Sequence, residues 1–130
     1  MRLLLDTHIW VWSHLQPERL SKRVARVLTD AKNELWLSPV STWEVMTLAS
    51  RGRLVLEPDA AAWVRRALAS APIHEAPLTH DITVLSADTG LVHRDPADQL
   101  IVATAAALGL TLITSDDRIL GRAAVKTLRN

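Results

Sequence analysis

Short apolar runs, each too brief for a helix and each followed by a helix-forming stretch, constrain this chain more than any other feature. Arg2 to Leu5 is the first, readable as a strand buried on both faces. Glu34 to Ser38 is the second, and Thr111 to Thr114, with its β-branched residues, is the clearest. Ile73 to Ala76 and Val125 to Leu128 carry weaker strand signals. Between these runs lie helical signatures. Asp6 or Thr7 can cap a first helix, and Ser21 opens a segment in which Val24, Val27 and Leu28 recur at helical spacing. Pro39 to Ala49 reads as a helix with Gly52 past its end as the C-cap. Asp59 caps a helix through Ala71, Thr79 one to Ala87, and Ala97 to Leu108 forms one that stops at Gly109. Strands alternating with helices indicate a parallel sheet covered by helices on both faces. In such sheets the functional crevice lies beyond the carboxyl ends of the strands.

Acids stand at those ends. Asp6 follows the first strand directly, and Asp116 and Asp117 follow Thr114 after Ser115 alone. Asp95 and Asp98, three apart, open the Ala97 helix and can face one side of its first turn. Glu44 sits between Trp43 and Val45 in an otherwise apolar stretch, where glutamate is seldom buried without a partner. Singly, each acid has an ordinary explanation as a helix cap, a charge near a helix N-terminus or a turn residue. Together they converge on one crevice, where carboxylates repel and raise one another's pKa unless a cation sits among them. Oxygen ligands without cysteine, and no paired-histidine spacing, favour Mg²⁺ or Mn²⁺ over zinc.

Composition narrows the remaining classes. A length of 130 residues predicts one domain spanning 1–130. The absence of cysteine excludes a disulfide scaffold, a thiol nucleophile and thiolate-bound zinc. Asp6 interrupts the N-terminal apolar stretch, and the Leu100 to Ile113 stretch is too short to cross a bilayer. No export signal or membrane segment is read, so a cytoplasmic location is expected. Net charge is only +1, with basic clusters at Arg19 to Arg26, Arg51 and Arg53, and Arg65 and Arg66. Solvated helix faces account for any one of these.

The segments Leu3-Leu4-Leu5-Asp6-Thr7-His8, Ser41-Thr42-Trp43-Glu44-Val45, Asp95-Pro96-Ala97-Asp98-Gln99-Leu100-Ile101-Val102-Ala103-Thr104-Ala105 and Thr111-Leu112-Ile113-Thr114-Ser115-Asp116 resemble the PIN-domain ribonuclease family, above all its VapC-type toxins. The likeness runs over nearly the whole chain. It implies a PIN-like three-layer α/β/α sandwich with a central, mainly parallel sheet of four or five strands. It also implies four catalytic and metal-holding acids, which map onto Asp6, Glu44, Asp98 and Asp116. Asp95 is then an outer carboxylate, Thr114 and Ser115 are candidate hydrogen-bonding partners, and Asp117 is not a ligand. Implied partners are an RNA substrate, a second copy of the chain, and a small antitoxin presenting an arginine to the acids.

The chemistry inferred is magnesium-dependent hydrolysis of RNA phosphodiester bonds. Setting aside the four acids leaves ten acids against fifteen bases, so Arg51 and Arg53 beyond the Glu44 helix are candidate phosphate contacts. Trp10, Trp12, Trp36 and Trp63 are expected in the core or an interface, and core packing is favoured for Trp43 over base stacking. His8 is a possible phosphate contact, while His14, His74, His80 and His93 receive no role. Two alternatives stand beside the nuclease: a non-catalytic RNA- or partner-binding protein of the same fold, and a magnesium-dependent phosphatase. The latter needs an acid two residues after Asp6, where His8 stands.

Overall fold

The computed structural model describes residues 1–93, 95–122 and 124–130. Five strands form one all-parallel sheet: β1 (Arg2–Leu5), β2 (Glu34–Leu37), β3 (His74–Glu75), β4 (Thr111–Thr114) and β5 (Thr127–Arg129), in the order β3-β2-β1-β4-β5. Helices α1 (Thr7–Leu15), α2 (Lys22–Thr29), α3 (Pro39–Ser50), α4 (Ala60–Ala69), α5 (His80–Leu85) and α6 (Pro96–Leu108) connect them, with a 3₁₀ turn at Pro17–Arg19. The layered architecture expected from the alternation is present.

Period-two geometry divides the core. Leu3 and Leu5 point to one face with Ile113, where they meet Ile9 and Trp10 of α1, Val24 of α2 and Val64 of α4. Leu4 and Leu112 point to the other, against Ile101, Val102 and Ala105 of α6. Burial on both faces is why these strands read as continuous apolar runs.

The caps predicted from sequence organise the helix starts. Ser21 accepts from Val24 N, Asp59 from Ala62 N and Thr79 from Ile82 N. Ser38, expected as the end of the second strand, instead caps α3 by accepting from Val40 N, and β2 stops at Leu37. Gly109 ends α6 with φ 65°. Gly52 lies one residue past the α3 cap with φ 69°, a conformation that costs any residue with a Cβ.

Where the strands differ from expectation, they lie away from the centre. The last strand starts at Thr127 rather than Val125 and runs to Arg129, and β3 is reduced to two residues. The helices predicted to Ala71 and Ala87 stop at Ala69 and Leu85.

Strand order fixes where chemistry can sit. From β1 the chain steps outward through β2 to β3, then crosses back to place β4 on the other side of β1. The carboxyl ends of β1 and β4 therefore flank the topological switch point, where adjacent connections diverge and leave a crevice. Among the described residues no helix is long and apolar enough to cross a membrane.

Candidate active site

Asp6 is the residue on which the crevice is built. Its backbone N–H continues the β1–β4 ladder by donating to Ile113 O at 3.0 Å, and its side chain then caps α1. Oδ1 accepts from Thr7 N at 2.8 Å, and Oδ2 accepts from the Thr114 hydroxyl at 2.7 Å. Asp6 is 6% exposed, and both carboxylate oxygens are engaged by neighbours. Thr114 in turn accepts from Asp116 N at 3.0 Å. One hydroxyl thus ties the ends of β1 and β4 together.

Thr7 extends the arrangement to α3. Its Oγ1 lies 2.9 Å from Ser41 Oγ and 2.5 Å from Glu44 Oε1. A hydroxyl carries one proton, so Thr7 donates to the carboxylate and accepts from Ser41. Glu44, isolated in an apolar stretch of sequence, is held toward the crevice by this pair.

Asp98 enters from the first turn of α6, whose N-cap is Asp95, accepting from Ala97 N at 3.0 Å. Asp98 Oδ2 lies 2.7 Å from His93 Nε2 and 3.7 Å from Arg118 Nη2. Asp116 is more open. Its Oδ1 accepts from Arg118 N at 2.8 Å and Nε at 3.1 Å, and its Oδ2 accepts from Arg118 Nη2 at 2.8 Å.

The electrostatics follow from burial and mutual repulsion. Burial pushes the Asp6 carboxyl above its usual range against the hydrogen bonds from Thr114 and Thr7, and Asp116 adds to the rise. Burial likewise raises Glu44, opposed by the Thr7 hydroxyl and reinforced by Asp6, Asp98 and Asp95. Asp98 is raised by burial, opposed by His93 and reinforced by Asp95, Asp6 and Asp116. Asp116 alone is lowered, by its hydrogen bonds from Arg118. Asp6 thus feels Asp116, Glu44 feels Asp6 and Asp98, and Asp98 feels Asp6 and Asp116.

Such a crowd of carboxylates has the donor chemistry of a hard divalent cation. Among the described residues, no three histidine, aspartate or glutamate side chains are arranged to hold one ion as they stand. The set is open rather than a closed cage, with Asp116 turned to Arg118. Magnesium retains several waters and takes only a few carboxylates directly, so an open set of oxygen donors fits it.

The structure brings Asp6, Glu44, Asp98 and Asp116 to one crevice, with Asp95 and Thr114 beside them. Ser115 makes no side-chain hydrogen bond among those described. Asp117 points away to Arg129, 2.8 Å distant. Arg51 lines a cleft of about 240 Å³ with Trp43, Glu44 and Asp95. Arg53 is exposed but does not line that cleft.

Trp43 corrects the expectation of core packing: it is 62% exposed. Apolar residues surround α3 on all sides, so its composition marks no solvent face, and docking of the helix alone decides which indole is left out. His93 and Arg118, given no role from sequence, both contact Asp98. His93 lies five residues before its partner and in a different local structure, so no helical spacing signals the pair. Arg118 at two residues from Asp116 had a signal, a basic residue beside an acidic turn.

Comparison with known proteins identifies the family and the fold. A profile described as PIN domain matches residues 3–126. Ribonuclease VapC22 of Mycobacterium tuberculosis is 32% identical over 122 residues, spanning 90% of this chain and 88% of the relative. Among solved structures, VapBC2 from Rickettsia felis bound to a DNA fragment from its promoter superposes with a TM-score of 0.73 at 17% identity, covering 99% of this chain and 98% of that one. Mycobacterium tuberculosis VapC20, a sarcin-ricin loop cleaving toxin, gives 0.63 at 16% identity, covering 95% and 98%. At such identities the superpositions speak for the fold.

Proposed function

Because this chain belongs to the PIN-domain family, with a VapC ribonuclease as a relative over nine-tenths of its length, we propose that it is a magnesium-dependent ribonuclease and the toxin of a toxin–antitoxin pair. The observation that carries the reading is the convergence of Asp6, Glu44, Asp98 and Asp116 at the switch point of the sheet. Asp6, Asp98 and Asp116 would hold Mg²⁺, or Mn²⁺ in its place, with Glu44 at the edge. Bound there, the ion supplies a Lewis acid that lowers the pKa of water and neutralises charge on the leaving oxygen.

The chain's own residues do the positioning. Thr114 and the α1 amide orient Asp6, and His93 orients Asp98. Thr7 and Ser41 hold Glu44 toward the crevice, where its carboxylate can orient the attacking water. No covalent intermediate is required. A generic RNA should be cut only with Mg²⁺, and a phosphate monoester should not be hydrolysed. Cleavage of the monoester would favour the phosphatase, and intact RNA with metal present would favour a binding protein.

Trp43 and Arg51 extend the proposal to substrate contact. An exposed indole beside an arginine in a cleft that reaches Glu44 suits a base stacked on the ring with its phosphate on the guanidinium. Stacking is worth about 1–3 kcal/mol per base. Trp43→Ala should therefore raise KM roughly tenfold with little change in kcat, and Arg51→Ala should lower the salt dependence of binding by about one ion. Equal KM values for Trp43→Ala and wild type would remove the indole from the substrate path.

The likeness to VapBC pairs further suggests a homodimer and a small antitoxin. A guanidinium from that partner can pair with the acids and block the crevice without altering the fold.

A further inference from the structure

We propose that Arg118 is a counterion built into the crevice, a guanidinium that competes with the metal for Asp116 and Asp98 and must turn away before the ion is held. The inference rests on the metal-dependent reading above and adds an element that regulates loading of that site.

The geometry is that of a cation already in place. Arg118 Nε lies 3.1 Å and 3.3 Å from the two oxygens of Asp116, and Nη2 lies 2.8 Å from Oδ2. The same Nη2 reaches to 3.7 Å from Asp98 Oδ2, so one guanidinium bridges carboxylates supplied by the end of β4 and the start of α6. The Arg118 backbone N–H also donates to Asp116 Oδ1 at 2.8 Å, which fixes the orientation in which Asp116 faces the fork. Both Asp116 oxygens are thereby engaged. A planar guanidinium matches a carboxylate with two parallel bonds, whereas a divalent ion needs one of those oxygens turned into the crevice. The two arrangements exclude each other at Asp116.

Arg118 is also free to leave. Its side chain is 59% exposed, and among the described residues all of its side-chain hydrogen bonds go to Asp116. The residue thus neutralises part of the acidic crowd when no metal is held, at the cost of weakening the site for metal.

Mn²⁺ binding to the full chain, measured by titration calorimetry at pH 7.5 and fixed salt, tests this without reference to cleavage. Arg118→Gln should tighten Mn²⁺ binding by roughly fivefold, the scale on which an exposed pair competes. The same substitution in an Asp116→Asn background should change it less than about twofold, because the competing pair is already gone. Arg122→Gln removes an equal charge from a hollow that Arg118 also lines and should leave the affinity near that of wild type. Unchanged or weaker binding in Arg118→Gln overturns the proposal, as does equal tightening by Arg122→Gln, which would reduce the effect to surface charge. Absence of binding in every variant would overturn the metal reading itself, and this proposal with it. Arg118 lies outside the core, so Arg118→Gln should melt as a folded protein.

Discussion

Asp6→Asn, Asp98→Asn and Asp116→Asn should each lower RNA cleavage at least on the order of a hundredfold while leaving the fold intact, since even residues that merely support metal ligands are worth ten- to a hundredfold. The amide keeps the volume of the carboxylate and removes its charge. At Asp6 the local structure tolerates this: Oδ1 still accepts from Thr7 N, and the new amide donates to Thr114 Oγ1, whose own proton is released. At Asp98 the amide oxygen still accepts from His93. Single-turnover cleavage together with a circular dichroism melt separates loss of chemistry from loss of structure. Asp117→Asn should keep most of the activity, because Asp117 is exposed and pairs with Arg129. Full activity in any of the first three would remove that residue from the site. In cells, wild-type chain expressed alone should arrest growth and Asp6→Asn should relieve the arrest. Harmless expression of active enzyme would defeat the toxin reading and leave the nuclease standing.

The second large effect is on stability. Burial raises the pKa of Asp6, Glu44 and Asp98 above their unfolded values near 4. The folded state therefore binds more protons than the unfolded state between those values, and stability falls as pH rises through that window. Asp116 has the opposite sign, but its contribution is complete above its unfolded value and is lost only in stronger acid. His14, lowered by burial, loses stability as pH falls and works against the trend. The trend is best read as a difference, with wild type gaining more than Asp98→Asn as pH falls from 7.5 toward the unfolded carboxylate range near 4.

Magnesium should relieve at pH 7.5 the same repulsion that protons relieve in acid. A ligand at ten times its Kd stabilises by ~1.4 kcal/mol, which for a chain of this size shifts Tm by roughly 5 °C. The shift should be far smaller in Asp98→Asn. A melting curve that ignores magnesium across a titration would sink the site.

Much of this molecule was legible before folding because its signals are local. An apolar run buried on both faces announces a central strand, and Leu3, Leu4 and Leu5 are buried as that pattern requires. Ser21, Asp59, Thr79 and Asp95 mark helix starts because a cap bonds to amides only two or three residues away. The outer strands were less legible. A strand such as β5 is defined by its register against β4, where Leu112 faces Thr127 and Thr114 faces Arg129, and no local pattern encodes that register.

What sequence alone determined, then, is the order of strands and helices and the presence of acids at the ends of β1 and β4. Those depend on spacing along the chain. Tertiary structure decided everything that depends on which surfaces meet. The Thr7–Glu44 bond joins residues 37 apart, and the Thr114–Asp6 bond joins residues 108 apart. The docking of α3 left Trp43 in solvent, although its apolar neighbours on every side gave no hint of an outer face. The approach of β4 to α6 set Arg118 across Asp116 and Asp98. Hydrogen bonds and ion pairs of that kind act over a few ångströms in space, and separation in sequence carries no information about them until the chain has folded.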